Sequence, residues 1–198
     1  MKAIVAGLLL SAALGAAWAA RVDVQVQDAA GRPLAGAVVL LDSPAARAAV
    51  RPRAGLEVEQ ADKRFTQRVT VVPVGSEVHF PNRDKVRHHV FSFSAAKTFE
   101  IKLYTGTPAN PVLFDRPGIV VLGCNIHDTM VAWVVVAETP WAGLTDAQGR
   151  LRLAEVPAGP HTLRVWHPDL PPGTPPQEQA LAVGGPEAAA SVRLAGLR

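Results

Sequence analysis

Gly123-Cys124-Asn125-Ile126-His127-Asp128-Thr129-Met130 stands between two apolar, β-branched runs, Ile119-Val120-Val121-Leu122 and Val131-Ala132-Trp133-Val134-Val135-Val136. Runs of this length and composition, bounded by glycine and polar turn formers, read as strands. The segment between them is then a tight loop joining two strand ends. It carries a thiol, an imidazole and a thioether at C-x-x-H-x-x-M spacing, so the three side chains can converge on one point.

The same reading extends outward. Residues 68–74 are valine-rich, Glu77-Val78-His79-Phe80 alternates, and Val90-Phe91-Ser92-Phe93 and Phe99-Glu100-Ile101-Lys102-Leu103 follow. No amphipathic helical period of useful length interrupts them, which predicts an all-β sandwich. Nearer the start, Val22-Asp23-Val24-Gln25-Val26 alternates, Asp28 to Leu34 supplies turn chemistry, and residues 35–41 read as a returning strand, together an opening hairpin. Beyond Thr145, two more strand patterns flank Gly/Pro turns, and residues 190–194 suit a last strand. Pro168, Pro171, Pro172, Pro175 and Pro176 mark a stiff exposed loop.

The chain opens with Met1-Lys2, an apolar run and Ala17-Trp18-Ala19, the pattern of a secretory signal peptide with an A-x-A cleavage site near Ala19. This predicts an exported, periplasmic protein without membrane attachment after cleavage. The 20 basic residues, one of them Lys2 in the leader, nearly balance 17 acidic ones and are scattered. A phosphate backbone requires clustered basic residues, so nucleic-acid binding is excluded. Cys124 is the single cysteine and has no intramolecular disulfide partner. A lone exported thiol is buried, reactive or protected by a metal.

Thiolate, imidazole and thioether are soft or borderline donors that suit copper better than calcium or magnesium. A further imidazole is available in Arg87-His88-His89-Val90, after the turn Asn82-Arg83-Asp84. His88 is the preferred donor, with His89 its rival. Two histidines, one cysteine and an axial methionine constitute a type 1 copper donor set. Zinc held by Cys124, His127, His88 and His89 is the competing assignment. A Cys–His catalytic pair lacks any signature of an orienting group or oxyanion pocket, so no enzyme is expected. His79 reads as an exposed strand residue, His161 and His167 as turn or surface residues, and Trp133, Trp166, Phe80, Phe91 and Phe93 as core.

Residues 74–88, V-G-x-x-V-x-F-x-N-R-D-x-x-x-H, together with C-x-x-H-x-x-M, resemble the cupredoxin family, and the short ligand loop looks most like that of the amicyanins. The wider pattern resembles exported proteins grouped with methylamine utilisation. Residues 20–44 and 141–198 resemble the carboxypeptidase regulatory-like sandwiches, whose two halves are here separated by a long intervening stretch. The resemblance implies a signal peptide over 1–19 and a cupredoxin-like Greek-key β-sandwich over 45–140, inserted into or fused with a small β-sandwich. It implies one mononuclear copper held by His88, Cys124, His127 and Met130, with one-electron transfer to other periplasmic redox proteins by transient contact. His127 is then the surface-facing electron port. His89 and Asn125 stand where the family usually has Asn and Ser or Thr. Copper storage or delivery, or a binding module with a zinc or vestigial site, are the alternatives, and the oligomeric state stays open.

Overall fold

The computed structural model describes residues 19–198, so the leader expected over residues 1–19 lies, apart from Ala19, outside the described residues. In chain order the strands begin with β1 (Ala19–Asp28) and β2 (Val38–Asp42), followed by one short helix, α1 (Pro44–Ala49). Next come β3 (Leu56–Glu57), β4 (Gln60–Ala61), β5 (Arg64–Phe65), β6 (Val69–Pro73), β7 (Ser76–His79), β8 (His88–Ser94), β9 (Lys97–Tyr104), β10 (Val112–Phe114), β11 (Gly118–Gly123) and β12 (Val131–Ala137). The chain ends with β13 (Ala142–Leu144), β14 (Arg150–Pro157), β15 (Gly159–Trp166), β16 (Gln177–Val183) and β17 (Glu187–Leu194). The protein is an all-β sandwich structure.

Strands β14-β1-β17 and β13-β2-β15-β16 form one pair of sheets, closed over Val22, Val24, Val26, Leu41, Leu163 and Val192. Strands β6-β12-β11-β8-β9 and β10-β7-β3 form a second pair, closed over Val72, Phe80, Val90, Phe114, Val120 and Leu122. Each of these larger side chains contributes about 1.5–3 kcal/mol on leaving water. A third cluster of Val38, Val69, Val135, Trp166 and Leu170 packs the two pairs together.

The expected opening hairpin does not form. Strand β1 pairs with β14 and, in parallel, with β17, whereas β2 pairs with β13 and β15 in the opposite sheet. The cause is in the burial. Along β1 the inward residues alternate with half-exposed ones, but β2 is covered on both faces. Val39 and Leu41 join the first core while Val38 joins the junction cluster. A strand that must bury both faces sits inside a sheet between two layers, which a hairpin partner of β1 would not. The chain therefore crosses the sandwich after the turn at Gly31.

Strand β13 lies beside β2, with Ala142 opposite Leu40. All ten strands from β3 to β12 thus leave and re-enter the first pair of sheets at adjacent points. Ser43 caps α1 at the outgoing crossing by accepting from the Ala46 N–H at 3.1 Å. At the return crossing the Thr139 hydroxyl donates to the Leu41 carbonyl at 2.7 Å.

Candidate metal centre

His88 opens β8, and the period of a strand sends His88, Val90 and Ser92 to one face and His89, Phe91 and Phe93 to the other. His88 is fully buried. Cys124 follows β11 directly and is also buried. The pairing of Gly123 with Val131 closes the loop between β11 and β12, and a turn in which the Met130 N–H donates to the His127 carbonyl at 2.9 Å tightens it. Glycine suits position 123. Gly123 lies opposite Phe91, and a Cβ there would fall 2.8 Å from the Phe91 ring.

This framework brings one donor atom each of His88, Cys124 and His127 within 4.8 Å of one another. Cys124 Sγ lies 3.8 Å from His127 Nδ1, and the rings of His88 and His127 meet edge-on with centroids 5.0 Å apart. His127 is half-buried, between exposed Ile126 and Asp128. Met130 is fully buried in the same core cluster as Cys124. His89 lies outside the group. It is turned to the opposite face, its Nε2 3.0 Å from Glu100 Oε1 without hydrogen-bond alignment, its ring against Phe91. Asn125 is exposed.

The two ring nitrogens of His88 have different environments. Nε2 lies 2.7 Å from Asp84 Oδ2, so the ring donates there, while the buried Nδ1 has no hydrogen-bond partner. A buried imidazole nitrogen left bare, on a ring grouped with a thiol and a second imidazole, fits a metal ligand. The His88 hydrogen bond, reinforced by backbone N–H groups of Lys63 and Asp62, holds the Asp84 carboxyl below its ordinary range. Asp84 was absent from the residues singled out by sequence. Its i,i+4 spacing from His88 was the available signal.

Beneath the cluster, Asn82 ties the His88 loop to β9, donating to the carbonyls of Val86 and Tyr104 at 2.9 Å each and accepting from the Asp84 N–H at 2.9 Å. Tyr104 pairs with His88 across β8 and β9. Its hydroxyl donates to the Phe80 carbonyl at 2.7 Å and accepts from Gln60 Nε2.

Three other expectations change. His161 and His167 are buried, not superficial: each places Nε2 on a backbone carbonyl, that of Pro157 at 2.9 Å and of Ala35 at 3.1 Å. Burial lowers the His167 pKa. His167, Pro168 and Leu170 anchor the proline-rich loop, of which only the later part is exposed. Phe93 is 81% exposed, because the outward face of β8 runs past the junction cluster that covers Trp133 and Trp166.

No protein-family model and no curated protein matches the chain. Among solved structures it is similar to a copper-containing nitrite reductase from Thermus scotoductus SA-01, at 24% identity over 41% of this chain and a TM-score of 0.38. The chain spans 22% of that reductase. It is similar to a reduced amicyanin mutant at 21% identity over 50% of this chain and 97% of the other, TM-score 0.38. A purple cupredoxin from Nitrosopumilus maritimus is matched at 19% identity over 41% and 99%, TM-score 0.36. Fold and site by themselves define a β-sandwich with a largely buried cluster of one thiol and two imidazoles.

Proposed function

We propose that this chain is an exported, non-enzymatic copper protein that carries single electrons in the periplasm. The observation that carries the reading is the grouping of His88, Cys124 and His127, in which the buried His88 Nδ1 has no hydrogen-bond partner. His88, Cys124 and His127 would hold one copper ion, with Met130 as a further, weaker donor. Copper bound there supplies a one-electron couple.

The residues of the chain do the rest. Asp84 keeps the proton of His88 on Nε2 and so directs the Nδ1 lone pair at the cluster. The paired ends of β11 and β12 fix the Cys124 loop, which limits how far its donors can move. His127 is half-buried and flanked by the 48% exposed Ile126, which suits a surface port meeting periplasmic redox partners through small, transient contacts. The leader pattern supports export, as does the resemblance to exported proteins grouped with methylamine utilisation. The β1–β2 and β13–β17 sandwich supplies docking or anchoring.

The test is the visible spectrum of the purified chain after Cu(II) addition, with Cys124→Ala alongside. An intense thiolate-to-copper band, absent in the variant and lost reversibly on reduction, is the expected result. A chain that takes up zinc but shows no such band with copper overturns the reading.

A further inference from the structure

The segment preceding β6 is strapped along the approach to His88. Val58 N–H donates to the His79 carbonyl at 2.9 Å, Gln60 N–H to Pro81 at 2.9 Å, and Arg83 N–H back to Gln60 at 2.8 Å. This parallel track delivers the β4–β5 hairpin to Asp84. The two turn residues, Asp62 and Lys63, both have positive φ, 53° and 56°. A two-residue turn of this kind prefers Asn-Gly. Holding a lysine there is strained.

The conformation aims two successive N–H groups at one carboxylate. Asp62 N–H meets Asp84 Oδ1 at 2.8 Å and Lys63 N–H meets Oδ2 at 2.9 Å. Successive amides presented in this way form an anion-binding concavity. Oδ2 also receives His88 Nε2 at 2.7 Å. With both oxygens held by the turn, the carboxylate cannot swing away from His88. The ring in turn cannot exchange its Nε2 proton for one on Nδ1 without losing a charge-assisted bond.

We propose that the Asp62–Lys63 turn is a positioning element of the metal centre, acting through Asp84 to fix the tautomer and orientation of His88 before any metal binds. The consequence for metal affinity rests on the copper reading; the tautomer does not.

The test uses the full chain, metal-free, with nitrogen NMR of the His88 ring, followed by Cu(II) titration. Wild type should carry its proton on Nε2. Asp84→Asn should mix the tautomers, shift the Asp62 and Lys63 amide protons, and weaken Cu(II) binding about 10–100-fold, the usual effect of losing such a partner. One glycine inserted between Asp62 and Lys63 displaces both N–H groups and should reproduce the tautomer and affinity changes. Lys63→Gly keeps both N–H groups and should reproduce neither. A proton on Nδ1 in wild type overturns the proposal, as does a folded insertion variant with wild-type tautomer and affinity. If the insertion fails to fold, unmoved Asp62 and Lys63 amide protons in Asp84→Asn overturn it equally. Absence of Cu(II) binding in wild type would sink the copper reading while the NMR still decides the role of the turn.

Discussion

Tyr104 is the single tyrosine of the protein, so its titration can be followed without interference from another phenol. Burial pushes its pKa up from 10.0 to about 12, assisted by the nearby Cys124 and opposed by the hydrogen bond from Gln60. The sign follows from the proton count. Between those values the unfolded chain has released the phenolic proton and the folded chain retains it, so the folded state binds more protons and loses stability as pH rises. The contribution is complete below pH 10 and disappears as pH passes through about 12. A full separation would amount to roughly 2.7 kcal/mol, and solvent reaching part of the ring reduces this to about 1–2 kcal/mol. The perturbation is Tyr104→Phe. It removes that pH dependence and leaves the fully buried Gln60 amide short of an acceptor, at a cost of about 1–3 kcal/mol near neutral pH. Tyrosinate absorbance of the native chain gives the pKa, and urea unfolding of both proteins across alkaline pH gives the stability difference. A native midpoint close to 10, or a stability gap between the two proteins that does not narrow with rising pH, would refute the reasoning.

Gly123→Ala drives a methyl into the Phe91 ring, which His89 and Phe93 hold from either side, and should destabilise the metal-free chain by about 1–3 kcal/mol in denaturant titration. Phe91→Leu in the same chain should recover part of it. Arg68→Ala removes the guanidinium that lies 5.3 Å over Trp133 and holds the Asp169 carboxyl low. The Asp169 pKa should rise, and hydrogen exchange should quicken at the Leu170 amide, which is bonded to the His167 carbonyl.

Sequence patterning located most of the long strands because their composition is distinctive and their faces differ. The loop that bears Cys124 and His127 was legible for the same reason, since these residues interrupt two valine-rich runs. What escaped was set by tertiary partners. Nothing local distinguishes β2 from the second arm of a hairpin; its second buried face is created by Trp166 and Val135, far away in sequence. The segment from Gln60 to Phe65 carries no strand-like apolar alternation, and the positive φ of Lys63 runs against residue preference; contact with Asp84 and burial of Phe65 in the core hold the hairpin. Phe93 shows the opposite failure. Its alternation with Ser92 was correct, but the face to which it points is left uncovered.

Strand β12 relates the candidate centre to the rest of the molecule. It runs from Val131, beside the ligand loop, to Ala137, just before the return crossing at Glu138. At about 3.3 Å per residue these ends stand roughly 20 Å apart. All three clustered donors come from the β3–β12 sheets, and none from the β1–β2 and β13–β17 sandwich. At the crossing, Asp42 is buried and pairs with Arg47 and, at 3.4 Å, with Arg164, while Arg164 and Arg47 reach Glu138 at 3.3 and 3.2 Å. Asp42→Asn should therefore cost about 1–3 kcal/mol in urea unfolding, less than the roughly 3–5 kcal/mol of a fully buried pair because both arginines reach solvent. If the proposed copper centre forms, the same substitution should leave its copper–thiolate absorption in place, since its effect falls at the far end of β12. A spectrum that changes in Asp42→Asn as much as in Asp84→Asn would mean that the junction, and not the strap from β3 to β5, sets the donor geometry.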